Sequence, residues 1–169
     1  MPKKLKKFLI AAFNVMIFFV FSLLHYSNIL NFKIFGAGTI LLIPLLVAFS
    51  LWHSPIACAI AGMLSGIILD SSAQGSYCFN AIILLLIGVF VSVTSNTLFN
   101  KNLPSAIVIS FICSVIYYLM QWVIFHTFSE GVHYSLTFLL EISLPSAILT
   151  ALFILPFYYL YKYIERIRP

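Results

Sequence analysis

The chain alternates long, uninterrupted apolar runs with short polar breaks. Six runs stand out, over residues 8–26, 35–52, 55–69, 79–99, 103–127 and 136–161. Within each run the apolar residues are continuous rather than alternating, which predicts α-helices and argues against barrel strands. A helix needs about 20 apolar residues to cross a bilayer, so the third run is short for a span and is either tilted little or shielded by its neighbours. The breaks have local causes. Ser54-Pro55 offers an N-cap residue followed by proline at the first helical position. Asn100, Lys101, Asn102 and Pro104 read as a tight polar turn, and Asp70 to Ser76 as a loop by composition.

Composition fixes the solvent. Of the 169 residues, 63% are hydrophobic and only 8% charged, too little polar surface to cover a water-facing globule. The expected fold class is therefore all-α: a polytopic membrane protein of six transmembrane helices in a single domain over residues 1–169. The lysine-rich start followed by an apolar run resembles a signal peptide. No small-residue cleavage site follows it, so it reads as a retained first helix.

Charge sets the expected orientation. With the N-terminus inside, the inner segments hold Lys3, Lys4, Lys6, Lys7, Lys101, Lys162, Arg166 and Arg168, and the outer ones only Lys33. This asymmetry of eight to one places both termini in the cytoplasm. The net charge of +5 sits at the ends of apolar runs. It is a signature of anionic membrane lipids rather than of nucleic acid.

Four positions of the third run, Cys58, Gly62, Gly66 and Asp70, recur every four residues and share one helix face. Gly62-xxx-Gly66 allows another backbone to approach closely. Asp70 ends the stripe at the outer boundary, where it reads as a solvated aspartate, as an acceptor for the Ser71 and Ser72 backbone amides, or as a charge that contacts a partner or ligand. In that second role asparagine would replace it nearly as well. In the fourth run Asn80, Gly88, Ser92 and Asn96 also lie at multiples of four. They predict an inward face with interhelical hydrogen bonds or, more sharply, a substrate pathway. Glu141 lies inside the sixth run, either as a functional intramembrane carboxylate or reaching outward to headgroups. Pro145 cannot donate to its carbonyl and predicts a kink, and Pro156 a second one.

Little here supports catalysis. There are four acidic residues and no hydrolase elbow or phosphate loop. The histidines His25, His126 and His133 show no metal-ligand spacing, and Cys58, Cys78 and Cys113 form no CxxC pair and read as small packing residues. No enzyme activity, catalytic residue, cofactor or metal is expected.

The stretch Gly62-Met-Leu-Ser-Gly66-Ile-Ile-Leu-Asp70, a Ser/Gly loop, Asn80-Ala81 and a Leu/Ile run to Gly88 resembles the signature of the bacterial rod shape-determining MreD family. Leu144-Pro145-Ser146 and an apolar run into a basic tail also fit. The family often has glycine just before the Asn-Ala pair, whereas this chain has Cys78-Phe79. The resemblance implies a non-enzymatic subunit of the cell-elongation complex in the plasma membrane. Such a subunit binds MreC and links MreB to RodA and a class B penicillin-binding protein in peptidoglycan synthesis. The family also resembles, in fold, the substrate-binding S components of energy-coupling-factor transporters. A vitamin-binding transporter subunit is accordingly the alternative expectation.

Overall fold

The computed structural model describes residues 3–26, 39–72, 78–97, 102–125 and 143–167. Their regular structure is helical: α1 (Lys3–Tyr26), α2 (Leu42–Ser50), α3 (Pro55–Ser72), α4 (Phe79–Thr97), α5 (Leu103–Phe125), α6 (Leu144–Leu152) and α7 (Ile154–Ile167). Two stretches are long and apolar enough to cross a membrane, Leu103–Ile124 and the α6–α7 pair over Leu144–Arg166. Three shorter apolar stretches join them, Ala12–His25, Pro55–Ser71 and Phe79–Ser95.

The centre of the molecule is α2. Its sequence, Leu-Ile-Pro-Leu-Leu-Val-Ala-Phe-Ser, is apolar on every side, and all nine residues are buried. A helix without a polar face is stable only where it is surrounded. Each of the other six described helices touches it. The outer surface is also apolar: Val15, Ile56, Leu86 and Ile148 are more than half exposed. A water-soluble monomer rarely carries apolar surface so widely, whereas lipid tails solvate it.

Among the described helices, α3 and α4 form the most extensive pairing. A Cβ on Gly62 would fall 2.7 Å from the Leu84 carbonyl carbon, one on Gly66 2.6 Å from the Asn80 carbonyl carbon, and one on Gly88 2.7 Å from the Cys58 carbonyl oxygen. At these three levels backbone therefore meets backbone, and glycine is required by space. The pairs 88–58, 84–62 and 80–66 fix an antiparallel register along the whole hairpin.

Several boundaries differ from expectation. Helix α3 continues three residues past Leu69, so Asp70 lies in its last turn rather than opening a loop. Among the described residues of the second run, 39–52, the helix covers Leu42–Ser50. The described part of the sixth run, from residue 143, holds two helices: α6 ends at Leu152, whose carbonyl lacks its usual i+4 donor because Pro156 stands there, and Phe153 turns the chain with φ −69° and ψ −3°. The break expected at Pro156 is present. Pro145 lies in the first turn of α6, where its missing N–H leaves no helical bond unmade. The expected kink between Glu141 and Pro145 concerns Glu141, which lies outside the described residues, as do Glu130, His126 and His133.

The glycine contacts make a direct prediction. Gly62→Leu and Gly66→Leu each drive a side chain into the α4 backbone and should destabilise the protein by about 3 kcal/mol or more. The measurement is the melting temperature of detergent-solubilised protein. Unchanged melting in both variants would mean that the two backbones are not in contact.

Candidate functional site

The hairpin closes at one end on a polar cluster. From the last turn of α3, the Asp70 carboxylate reaches the first turn of α4. Its Oδ1 accepts from the Asn80 backbone N–H at 3.1 Å and from Asn80 Nδ2 at 2.9 Å, and its Oδ2 accepts from the Ala81 N–H at 2.9 Å. Asn80 in turn accepts, through its Oδ1, a short hydrogen bond from the Tyr117 hydroxyl on α5. Asn80 and Tyr117 are both buried. Three helices are thus joined through one carboxylate, one amide and one phenol.

The chemistry of this clasp follows from how α4 begins. The first amides of any helix lack intrahelical acceptors and are normally satisfied by a capping side chain. Cys78, whose carbonyl accepts the first α4 bond from Ile82 at 3.1 Å, has no oxygen to offer and sits at φ 60°. Asp70 supplies the cap from another helix. Its negative charge meets the positive end of the α4 dipole, the favourable sense. This corrects the expectation that Asp70 would accept from Ser71 and Ser72. Both residues continue α3, so their amides point back along the helix, and Ser71 Oγ donates to the Ile68 carbonyl at 2.7 Å.

The expected inward face of α4 is largely present. Asn80 belongs to the clasp, Gly88 meets the Cys58 backbone, and Ser92 Oγ donates to the His53 carbonyl at 2.7 Å. The side chain of Asn96 lies outside the described residues. Pro145 lies in the first turn of α6, which packs on α5. Among the described residues no group of histidine, cysteine and carboxylate side chains has metal-binding geometry.

A second polar group, at the opposite end of the hairpin, was not legible beforehand. His53, in the turn between α2 and α3, stacks on Phe49 with ring centroids 3.9 Å apart, and its Nδ1 lies 3.0 Å from the Phe49 carbonyl. That contact assigns the proton to Nδ1 and leaves Nε2 as the acceptor for Asn14 Nδ2 of α1 at 3.4 Å. The signal was present in the sequence as a lone asparagine inside the first apolar run. Tyr117 was likewise missed as a donor, because its register against Asn80 depends on how α5 packs.

Two predictions follow from the clasp. Both carboxylate oxygens of Asp70 accept, so Asp70→Asn turns an amide donor toward an N–H and should cost about 1–2 kcal/mol. Asp70→Leu strands all three donors and should cost at least about 3 kcal/mol. Thermal melts in detergent measure the ranking, and a neutral Asp70→Asn would contradict the two-oxygen geometry. In contrast, Cys78→Gly removes a left-handed non-glycine residue and should stabilise the protein by about 1 kcal/mol in the same assay.

No family model, no curated protein and no solved structure matches this chain.

Proposed function

We propose that this chain is a polytopic plasma-membrane protein of six transmembrane helices, with both termini in the cytoplasm and an arrangement like that of the S components. We further propose that it serves as an MreD-type, non-enzymatic subunit of the bacterial cell-elongation complex. One observation carries the reading. The residues that resemble the MreD signature, Gly62, Gly66, Asp70, Asn80, Ala81 and Gly88, are the same ones that lock α3 to α4. A motif whose members all serve one rigid joint fits a scaffold, whose task is to present a preformed surface to partners. Rigidity lowers the ordering cost of each association. In this reading the partners are MreC first, then MreB, RodA and a class B penicillin-binding protein.

The eight-to-one distribution of basic residues supports the orientation. It puts the Asp70 end of the hairpin outside, together with the exposed Cys78, while Cys58 and Cys113 are buried. Intact cells should therefore incorporate one equivalent of a membrane-impermeant maleimide per chain, and Cys78→Ser should abolish it. Labelling only after permeabilisation would invert the topology. For function, the wild-type chain should co-purify MreC and restore rod shape to cells lacking their own MreD. Asp70→Leu should weaken both more than its membrane level falls. Restored growth under vitamin limitation, with no effect on shape, would instead favour the transporter subunit.

A further inference from the structure

The exposed side of the α6–α7 span changes character along its length. From Leu144 to Leu155 its exposed residues are Leu144, Ile148, Leu152 and Leu155, all apolar. On α7 the exposed face then continues through Tyr159, Lys162, Tyr163 and Arg166. These four stand three or four residues apart along one side of the helix, and together they line one surface pocket. Glu165, the acidic residue of α7, is half-buried and points about 100° round the helix from Arg166. The face is therefore apolar, then phenolic, then cationic.

Position along the bilayer normal decides the ligand. At a helical rise of 1.5 Å per residue, Lys162 stands about 4.5 Å and Arg166 about 10 Å beyond Tyr159. The polar layer of one leaflet is about 5–8 Å deep. With Tyr159 at the edge of the hydrocarbon, where phenols settle, both cations reach the layer that holds the phosphates. A phospholipid presents its groups in the matching order: acyl chain, ester carbonyl, phosphate. A soluble anion or an acidic peptide would meet the two cations but leave Leu155 and Tyr159 without a counterpart. Part of the site is preformed. Lys162 Nζ lies 5.6 Å from the centre of the Tyr158 ring, which is buried and packs on Trp52 at 5.4 Å. An ammonium held in this way costs less to order when an anion arrives.

We propose that this face of α7 binds one anionic glycerophospholipid of the inner leaflet. The phosphate lies between Lys162 and Arg166, with the Tyr163 hydroxyl donating to it. The Tyr159 hydroxyl donates to an ester carbonyl, and the acyl chain runs along Leu155. The inference rests on the membrane reading and orientation above and adds to them one lipid site with a named role for each side chain.

The test is native mass spectrometry of the full chain released from mixed micelles. The micelles contain equal phosphatidylglycerol and phosphatidylcholine with matched acyl chains. The wild type should retain one lipid, with phosphatidylglycerol preferred about tenfold. The double variant Lys162→Gln/Arg166→Gln should lose that preference. Each single change should lower it about threefold, which suffices if the double variant does not fold. Lys101→Gln removes a basic residue outside this face and should leave the preference intact. Tyr159→Phe should weaken retention of ester-linked phosphatidylglycerol about fivefold and leave its ether-linked analogue, which has no carbonyl, unchanged. Equal retention of both lipids by the wild type, a preference unchanged in the α7 variants, or an equal loss in Lys101→Gln would each overturn the site. So would a Tyr159→Phe effect that ignores the linkage, or retention of inorganic phosphate in place of lipid. If the α7 variants lose co-purified MreC but keep the lipid preference, the face docks a protein and the lipid site is again overturned. Failure of the membrane reading is scored separately, by release of the chain from membranes in alkaline carbonate.

Discussion

The hairpin of α3 and α4 depends on the close approach of two helix backbones. Where α3 and α4 meet at Gly62, Gly66 and Gly88, no side chain stands between them. In lipid no hydrophobic force draws helices together, because the tails are as apolar as the side chains. Association depends on contact density and polar bonds, and glycine maximises the first by letting whole backbones pack. Once the register is fixed, the polar groups at both ends of the hairpin come to specific partners: Asp70 to Asn80 and Ala81 at one end, the His53 carbonyl to Ser92 at the other.

The polar ends act as locks for different neighbours. At the Asp70 end the bond from Tyr117 to Asn80 ties α5 to the hairpin. At the His53 end the imidazole bonds its own α2 through the Phe49 carbonyl and meets Asn14 of α1, with Tyr161 of α7 edge-on at 6.3 Å. The fully buried α2 is held between these two layers, so a helix of nine residues has no freedom to slide. This gives the scaffold reading its physical content. The outer surface is set by a core whose parts have one register.

The same tightness is absent between α1 and α3. There the seam is open, and the groups along it, Asn14 and Ser22, carry unsatisfied oxygens. One face of α3 is thus closed by the α4 backbone, whereas the other borders the open seam with α1.

The sequence by itself determined the helical class and the stripes. Continuous apolar runs admit no other backbone in lipid, and residues four apart must share a face whatever the helix packs against. Thus Cys58, Gly62, Gly66 and Asp70 were legible as one contact line, and Asn80, Gly88 and Ser92 as another, before any fold was known. What the sequence left open was which line meets which, and in what register. Ser71 and Ser72, adjacent in sequence, were the obvious donors to Asp70, but the helix takes their amides. The true donors lie ten and eleven residues on and reach it only when α4 folds back. His53 and Tyr117 carried no local signal, because their roles come from long-range neighbours: Asn14 and Ser92 for one, Asn80 for the other. Periodicity along a helix is a property of the chain, and the pairing of two such periodicities is decided only by tertiary packing.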